Sequence, residues 1–328
     1  MKIAVISVTN SGDTISQKIK SKFDAVLFKK SDVKNKGINN IIKDIISLYD
    51  AVIFVSSTGI AVRACAPYII SKDKDPAILV VDSAAKFVIS LLSGHLGGAN
   101  ELTLEVSKLL SAVPVITTAT DNMGVEAPDT IAKKNKLVID NLKNVKDISS
   151  LLVDKKRVAF MDLRNLIALP KGYEESLNDA DGLVYVTHNL KDDFSEFKGQ
   201  SILKLIRKDI VLGIGCRKNF EFMDMKNRVL EFLRQYNIDT RSVKIISTVE
   251  IKKDEQAIIN LADYFDAEFR ICSLHDIKKI QYKYEGSDFV EKTIGVRSVC
   301  EPCVEIVGAK PVTVKIKLQG MTVCMGVL

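Results

Sequence analysis

The sequence predicts an α/β protein: two Rossmann-like α/β domains with mostly parallel sheets, joined by a small α/β middle module. Three observations predict it. Short apolar runs rich in β-branched residues alternate with helical patterns from the first residue onward. The composition shifts near residue 125 toward Asp- and Lys-rich stretches. A fresh strand–loop–helix pattern then begins at residue 210. Strands alternating with helices of this length build a parallel sheet covered on both faces.

Each element follows from its own pattern. Residues 2–8 (KIAVISV) read as a buried strand and 9–13 as a turn. Ile15, Ile19 and Phe23 recur at spacing four and mark one face of a helix. Residues 25–28 read as a short strand, 38–48 as a helix and 51–55 as a strand. A helix from about Gly59 and strands at 77–81 and 87–91 come next, then a helix at 96–110 and a strand at 113–117. These form an N-terminal domain over 1–125. Residues 126–208 carry two helices and strands at 157–161 and 183–187, the pattern of a small middle domain. A C-terminal domain over 209–328 takes strands at 210–215, 243–247, 268–271, 313–317 and 322–325, with a helix at 220–236.

Composition narrows the function. A chain of 328 residues buries a core without staples, and 47% apolar with 27% charged residues excludes a disordered or collagen-like chain. The first apolar run reaches polar residues too early for a signal-peptide core, and Lys86 interrupts the longest run, at 77–92. The expectation is a soluble, cytoplasmic protein without membrane contact. A net charge of +6 is spread without a basic block, aromatics are 6% and Trp is absent. That argues against a nucleic-acid partner and suits an anionic small molecule. Six cysteines are expected as thiols rather than disulfides.

Ligands of open α/β sheets bind beyond the carboxyl ends of strands, and four loops qualify: 56–59, 93–101, 117–121 and 213–217. The second, SGHLGGANE, is the most informative. Gly94, Gly97 and Gly98 let backbone approach a ligand, and the following helix start offers N–H groups to an anion. His95 is suited to proton transfer near neutral pH, and Asn100 and Glu101 lie one turn further on. A plainer reading stays open, in which the glycines only permit a tight turn and His95 caps the helix. Thr58 and Gly59 with Arg63 could orient a carboxylate, against the plainer reading of an exposed arginine. The glycine spacing fits neither nucleotide-binding fingerprint. His188 and His275 are isolated, so no zinc site is expected. Cys300-Glu301-Pro302-Cys303 is a C-x-x-C without a second pair, and a structural role is preferred.

The segments STGIAVRACAPYI, DPAILVVD, KFVISLLSGHLGGANEL and PVITTATD, in that order, closely resemble the N-terminal domain of the cobalt-precorrin-5A hydrolase family of anaerobic cobalamin biosynthesis. LGIGCRKN, KKDE at 252–255 and GVRSVCEPC are similar to that family's C-terminal domain. The resemblance implies an anionic cobalt-bound, ring-contracted tetrapyrrole substrate carrying a δ-lactone. Water opens the lactone, and acetaldehyde leaves to give cobalt-precorrin-5B. It implies no resident cofactor or metal, because cobalt belongs to the substrate, and transient contact with other enzymes of the pathway. Cys300 and Cys303 replace the small residues the family tends to carry, and the terminal strand region is shortened.

On these motifs, residue chemistry makes His95 the general base, with Glu101 or Asp121 orienting it or shuttling a proton. Ser93 or Thr117 and Thr118 would hydrogen-bond the developing oxyanion. Thr58, Gly59, Arg63, Ser93, Gly94, Gly97, Gly98, Asn100, Thr117 and Thr118 are the expected substrate-binding set. Two other classes remain: a non-catalytic tetrapyrrole carrier, and a nucleotide-dependent α/β enzyme.

Overall fold

Five successive apolar or small residues, all buried, make Ile3–Ser7 the first strand (β1) of a computed structural model that describes residues 1–71, 74–195 and 197–328. It is joined in one sheet by β2 (Ala25–Phe28), β3 (Ala51–Val55), β4 (Ala77–Val81), β5 (Phe87–Leu92) and β6 (Val113–Val115). The order is β2-β1-β3-β4-β5-β6. β1, β3 and β4 are buried along their whole length, which is why they read as continuous apolar runs rather than alternating ones. Alternate side chains serve opposite faces. Ile3, Val5, Ile53 and Val55 pack with Ile15, Ile19, Leu102 and Val106. Ala4, Ile6, Val52 and Phe54 pack with Ile41, Ile42, Ile45 and Ala61 on the other side.

One reversal decides where the site lies. β1 to β4 are mutually parallel, but β5 runs antiparallel to β4, pairing Val88 with Val81 and Leu92 with Ile78. β6 runs parallel to β5. The carboxyl ends of β5 and β6 therefore lie at the edge where β1, β3 and β4 begin.

A second sheet holds β7 (Leu137–Ile139), β8 (Val158–Asp162), β9 (Gly182–Thr187) and β10 (Ser201–Arg207), in the order β7-β10-β9-β8. The sequence pattern shows β8 and β9 but not β7, which has three residues, nor β10, whose apolar run Lys204 interrupts. The third sheet holds β11 (Ile210–Cys216), β12 (Val243–Val249), β13 (Glu268–Cys272), β14 (Lys310–Pro311), β15 (Ile316–Leu318) and β16 (Met321–Val327). β11, β12 and β13 are parallel, while β16 returns antiparallel against β11. Of the strand expected at 313–317 only residues 316–317 fall in a strand, β15, and β14 lies just before it. Pro311 has no N–H for the ladder, Val312 N–H donates to the Met325 carbonyl at 2.8 Å, and the Thr313 hydroxyl accepts the Met325 N–H at 2.9 Å.

The architecture is thus the expected one, α/β domains with largely parallel sheets and a small middle module. Contacts gather residues 1–134, 145–158 and 169–173 into one compact unit. Residues 135–144, 159–168 and 174–328 form a second. Within the second, Arg241 reaches Asp140 at 2.7 Å and Asp239 at 2.8 Å, while Lys204 reaches Asp239 at 3.2 Å. Cys300 and Cys303 lie fully buried on the helix Cys300–Ile306, and burial pushes the Cys300 thiol up to about 12. Cys300 packs with Val211, Val304 and Cys324, and Cys303 with Val249, Ile277 and Val296. No helix among the described residues is long and apolar enough to cross a membrane.

Candidate active site

The loop after β5 folds back on the start of β4. A Cβ on Gly97 would lie 2.4 Å from Ser93 Cβ and 3.3 Å from the Ala77 nitrogen. Ala99 N–H donates to the Ser93 carbonyl at 3.1 Å and Asn100 N–H to that of Gly94 at 3.0 Å. A Cβ on Gly94 would meet the Asn100 amide at 2.9 Å, and one on Gly98, where φ is +85°, would meet Lys133 Nζ at 2.7 Å. Gly94, Gly97 and Gly98 therefore serve the chain's own close packing. The helix begins at Ala99 rather than at the expected Leu96, so Asn100 and Glu101 belong to its first turn.

Asn100 is buried and wired on both sides. Its amide donates to Asp121 Oδ2 at 2.8 Å and to Thr118 Oγ1 at 3.0 Å, and its carbonyl accepts from Ser90 Oγ at 2.6 Å. Asp121 sits on the short helix Ala119–Met123 after β6, which the shared direction of β5 and β6 brings to this edge.

His95 stands between two carboxylates. Nε2 is 3.0 Å from Asp121 Oδ2 and Nδ1 is 3.2 Å from Asp129 Oδ1. The imidazole is 14% exposed, Asp129 is buried and Asp121 is 42% exposed. Burial pulls the imidazole toward neutrality, but Asp129 and then Asp121 outweigh it and hold its pKa above the ordinary histidine value. Lys133, on the helix Pro128–Lys134 with Asp129, donates to the His95 carbonyl at 3.3 Å and pairs with Glu101 at 3.5 Å.

Beside His95 opens a cavity of about 390 Å³, lined in part by Ser93, Thr118, Thr120, Asp129, Ser149 and Ser150. All of these lie in the first unit. The Ser93 and Thr120 hydroxyls are buried without a hydrogen-bond partner among the described residues. Buried hydroxyls are normally satisfied, so these two stand out in the lining as candidates to pair with a bound oxygen.

The expected site residues divide accordingly. His95, Asp121, Ser93, Gly94, Asn100 and Thr118 come together. Gly97 and Gly98 shape the loop, and Thr117 is exposed next to it. Glu101 is not joined to His95: its side chain is 74% exposed and faces Lys133. Thr58, Gly59 and Arg63 lie on the helix Thr58–Cys65 after β3, at the opposite edge of the sheet. Five residues of strand, roughly 16 Å, separate the two edges. Arg63 there is exposed and donates to the Gly59 carbonyl at 3.2 Å. Sequence reasoning missed Asp129, Thr120, Ser149 and Ser150. Pro128 followed by Asp129 is a legible helix start, but nothing local aims that carboxylate at His95.

A histidine bracketed by carboxylates, beside unsatisfied hydroxyls at a sheet edge, equips an α/β enzyme for acid–base hydrolysis. Comparison with known proteins identifies the family. Residues 40–121 match the cobalamin synthesis G N-terminal family, 126–196 the cobalamin biosynthesis central region and 210–326 the cobalamin synthesis G C-terminus. The cobalt-precorrin-5A hydrolase of Salmonella typhimurium is 31% identical over 99% of this chain and 97% of its own length. That of Priestia megaterium is 28% identical over 91% of this chain and 87% of its own. A solved cobalamin biosynthesis protein G homolog from Sulfolobus solfataricus is 24% identical, covers 99% of this chain and 97% of its own, and gives a TM-score of 0.43. The chain belongs to the cobalt-precorrin-5A hydrolase family, and is a hydrolase of cobalamin biosynthesis.

Proposed function

We propose that this chain opens the δ-lactone of cobalt-precorrin-5A with water and releases acetaldehyde, giving cobalt-precorrin-5B. Near full-length likeness to two hydrolases of that name supports the substrate. The observation that carries the chemistry is His95, between Asp121 and Asp129, in the lining of a cavity that serine and threonine side chains share.

The reaction asks for two proton-coupled steps. Water adds to the lactone carbonyl, the ring C–O bond breaks, and an acid and an alcohol result. The alcohol then loses its proton as its C–O becomes C=O, and the C–C bond to the macrocycle breaks with its electron pair passing into the conjugated ring. Ser93 and Thr120 supply hydroxyls for the oxygen on which charge develops in the first step. His95 and Asp121 hold and move the protons. The cavity is at the small end of the ~300–1,000 Å³ that buries a drug-sized ligand, so it admits the lactone edge while the macrocycle face stays outside. Asp129 and the neutral hydroxyls favour an uncharged ester over a carboxylate, which helps expel the opened product. Cobalt arrives with the substrate, and the chain needs no resident cofactor.

The test is anaerobic incubation with cobalt-precorrin-5A. One acetaldehyde should appear per substrate consumed. Lactone opening without aldehyde would remove the second step, and stoichiometric binding of unchanged substrate would select the carrier reading.

A further inference from the structure

We infer that His95 enters the reaction as an imidazolium and acts as its proton donor, with Asp121 as the proton acceptor and Asp129 as the residue that positions the ring. This assignment rests on the lactone-opening reading above, and it reverses the role of base that the sequence gives to His95.

The geometry is an inventory of donors and acceptors. Asp121 Oδ2, facing Nε2, already accepts an N–H from Asn100, so it presents electron pairs to the ring rather than a proton. Nδ1 faces Asp129, a buried carboxylate. A neutral imidazole would set a nitrogen lone pair against one of these oxygens. The doubly protonated ring leaves no such conflict.

The surrounding charges agree. The helix Ala119–Met123 contributes Asp121. The helix Pro128–Lys134 contributes Asp129 and Lys133. The helix Ala99–Leu110 contributes Glu101, paired with Lys133. Lys133 reaches the His95 backbone carbonyl rather than the ring. Tyr173 is held neutral near Asp129, its phenol pushed up by burial and by the charges of Glu126 and Asp129. Two anions therefore face the ring.

The step balances. A water O–H bond breaks, its proton goes to the Asp121 carboxylate, and the new O–C bond forms at the lactone carbonyl carbon. The carbonyl-carbon-to-ring-oxygen bond breaks, its electron pair stays on the departing oxygen, and that oxygen takes the proton from His95 Nε2. Asp121, 3.0 Å from Nε2, then returns its proton to the ring and restores the starting state. Asp129 stays ionised throughout and keeps Nδ1–H and the ring plane fixed.

The test starts from the free protein. With three histidines in the chain, nitrogen NMR of the ¹⁵N-labelled protein, compared with His95→Ala, isolates the His95 ring. Both ring nitrogens should be protonated at neutral pH, and Asp129→Asn should lower the midpoint by about one unit or more. A neutral tautomer at pH 7, or an unmoved midpoint in a folded Asp129→Asn protein, overturns the inference. In turnover, kcat for lactone opening should fall as pH rises through the His95 midpoint. Asp129→Asn should move that limb to lower pH with KM little changed, and Asp129→Glu should restore part of the shift. A kcat that rises through the midpoint assigns the base role to His95 and overturns the inference. Absence of any turnover of cobalt-precorrin-5A would instead strike the proposed reaction, while the NMR result still decides the charge of the ring.

Discussion

The two edges of the first sheet differ in what they leave unsatisfied. At the carboxyl edge of β1 and β3 the polar groups are paired locally: Thr9 accepts the Gly12 N–H at 3.0 Å, Ser7 bonds Asp13, and Arg63 turns back on Gly59. At the amino edge, β5 and β6 deliver His95, Asp121 and Asn100, and two buried hydroxyls have no partner among the described residues. A parallel sheet is expected to bind at its carboxyl edge. One antiparallel strand places the His95 loop at the other edge. The position of a glycine-rich loop in the sequence therefore says less about the site than the direction of the strand before it.

The sharpest way to break this contrast is to mutate both edges. His95→Ala should lower turnover by ~10²–10⁴, the scale of a lost proton-transfer group. Arg63→Ala should leave turnover within a few-fold, measured as acetaldehyde release. A large loss for Arg63→Ala with little change for His95→Ala would transfer the site to the carboxyl edge.

A smaller but clear effect concerns the loop. Gly97→Val places a branched side chain where even a Cβ falls 2.4 Å from Ser93. It should destabilise the protein by about 1–3 kcal/mol, the range of overpacking, read as a lower midpoint in urea. An unchanged midpoint would mean that the loop opens more readily than its packing indicates.

The pH dependence of stability is subtler. Its sign follows from the raised pKa of His95: the folded state holds this proton more tightly than the unfolded chain, whose ordinary value is 6.5. The contribution is full below that ordinary value and is lost as pH rises through the folded value. Denaturation midpoints measured at stepped pH should show this loss in the wild type, and His95→Ala should flatten it. The smallest effect is expected in the second unit. Replacing Cys300 and Cys303 together by alanine should leave turnover within a few-fold, because both thiols are fully buried among apolar side chains. A hundredfold loss would give them a chemical role.

Much of the fold is legible because burial writes it directly. β1, β3 and β4 are unbroken apolar runs, and the helix through Ile15 and Ile19 repeats its apolar face. β10 is hidden by Lys204, whose ammonium finds Asp239. The site is half legible. His95, Asn100 and Asp121 are carried by motif residues, whereas Asp129 and Thr120 act through tertiary placement. The reversal of β5 does have a local signal: only residues 82–86 separate it from β4, too few for the crossover a parallel pair needs. Asp82 closes that turn by accepting the N–H groups of Ala84 at 3.1 Å and Phe87 at 2.6 Å.

The most direct test of the central claim is to see which edge the ligand covers. Amide hydrogen exchange would be followed with and without cobalt-precorrin-5A under anaerobic conditions. The account predicts protection in peptides spanning 93–101 and 117–129, with 7–12 and 56–63 unchanged. Protection confined to 7–12 and 56–63 would contradict it.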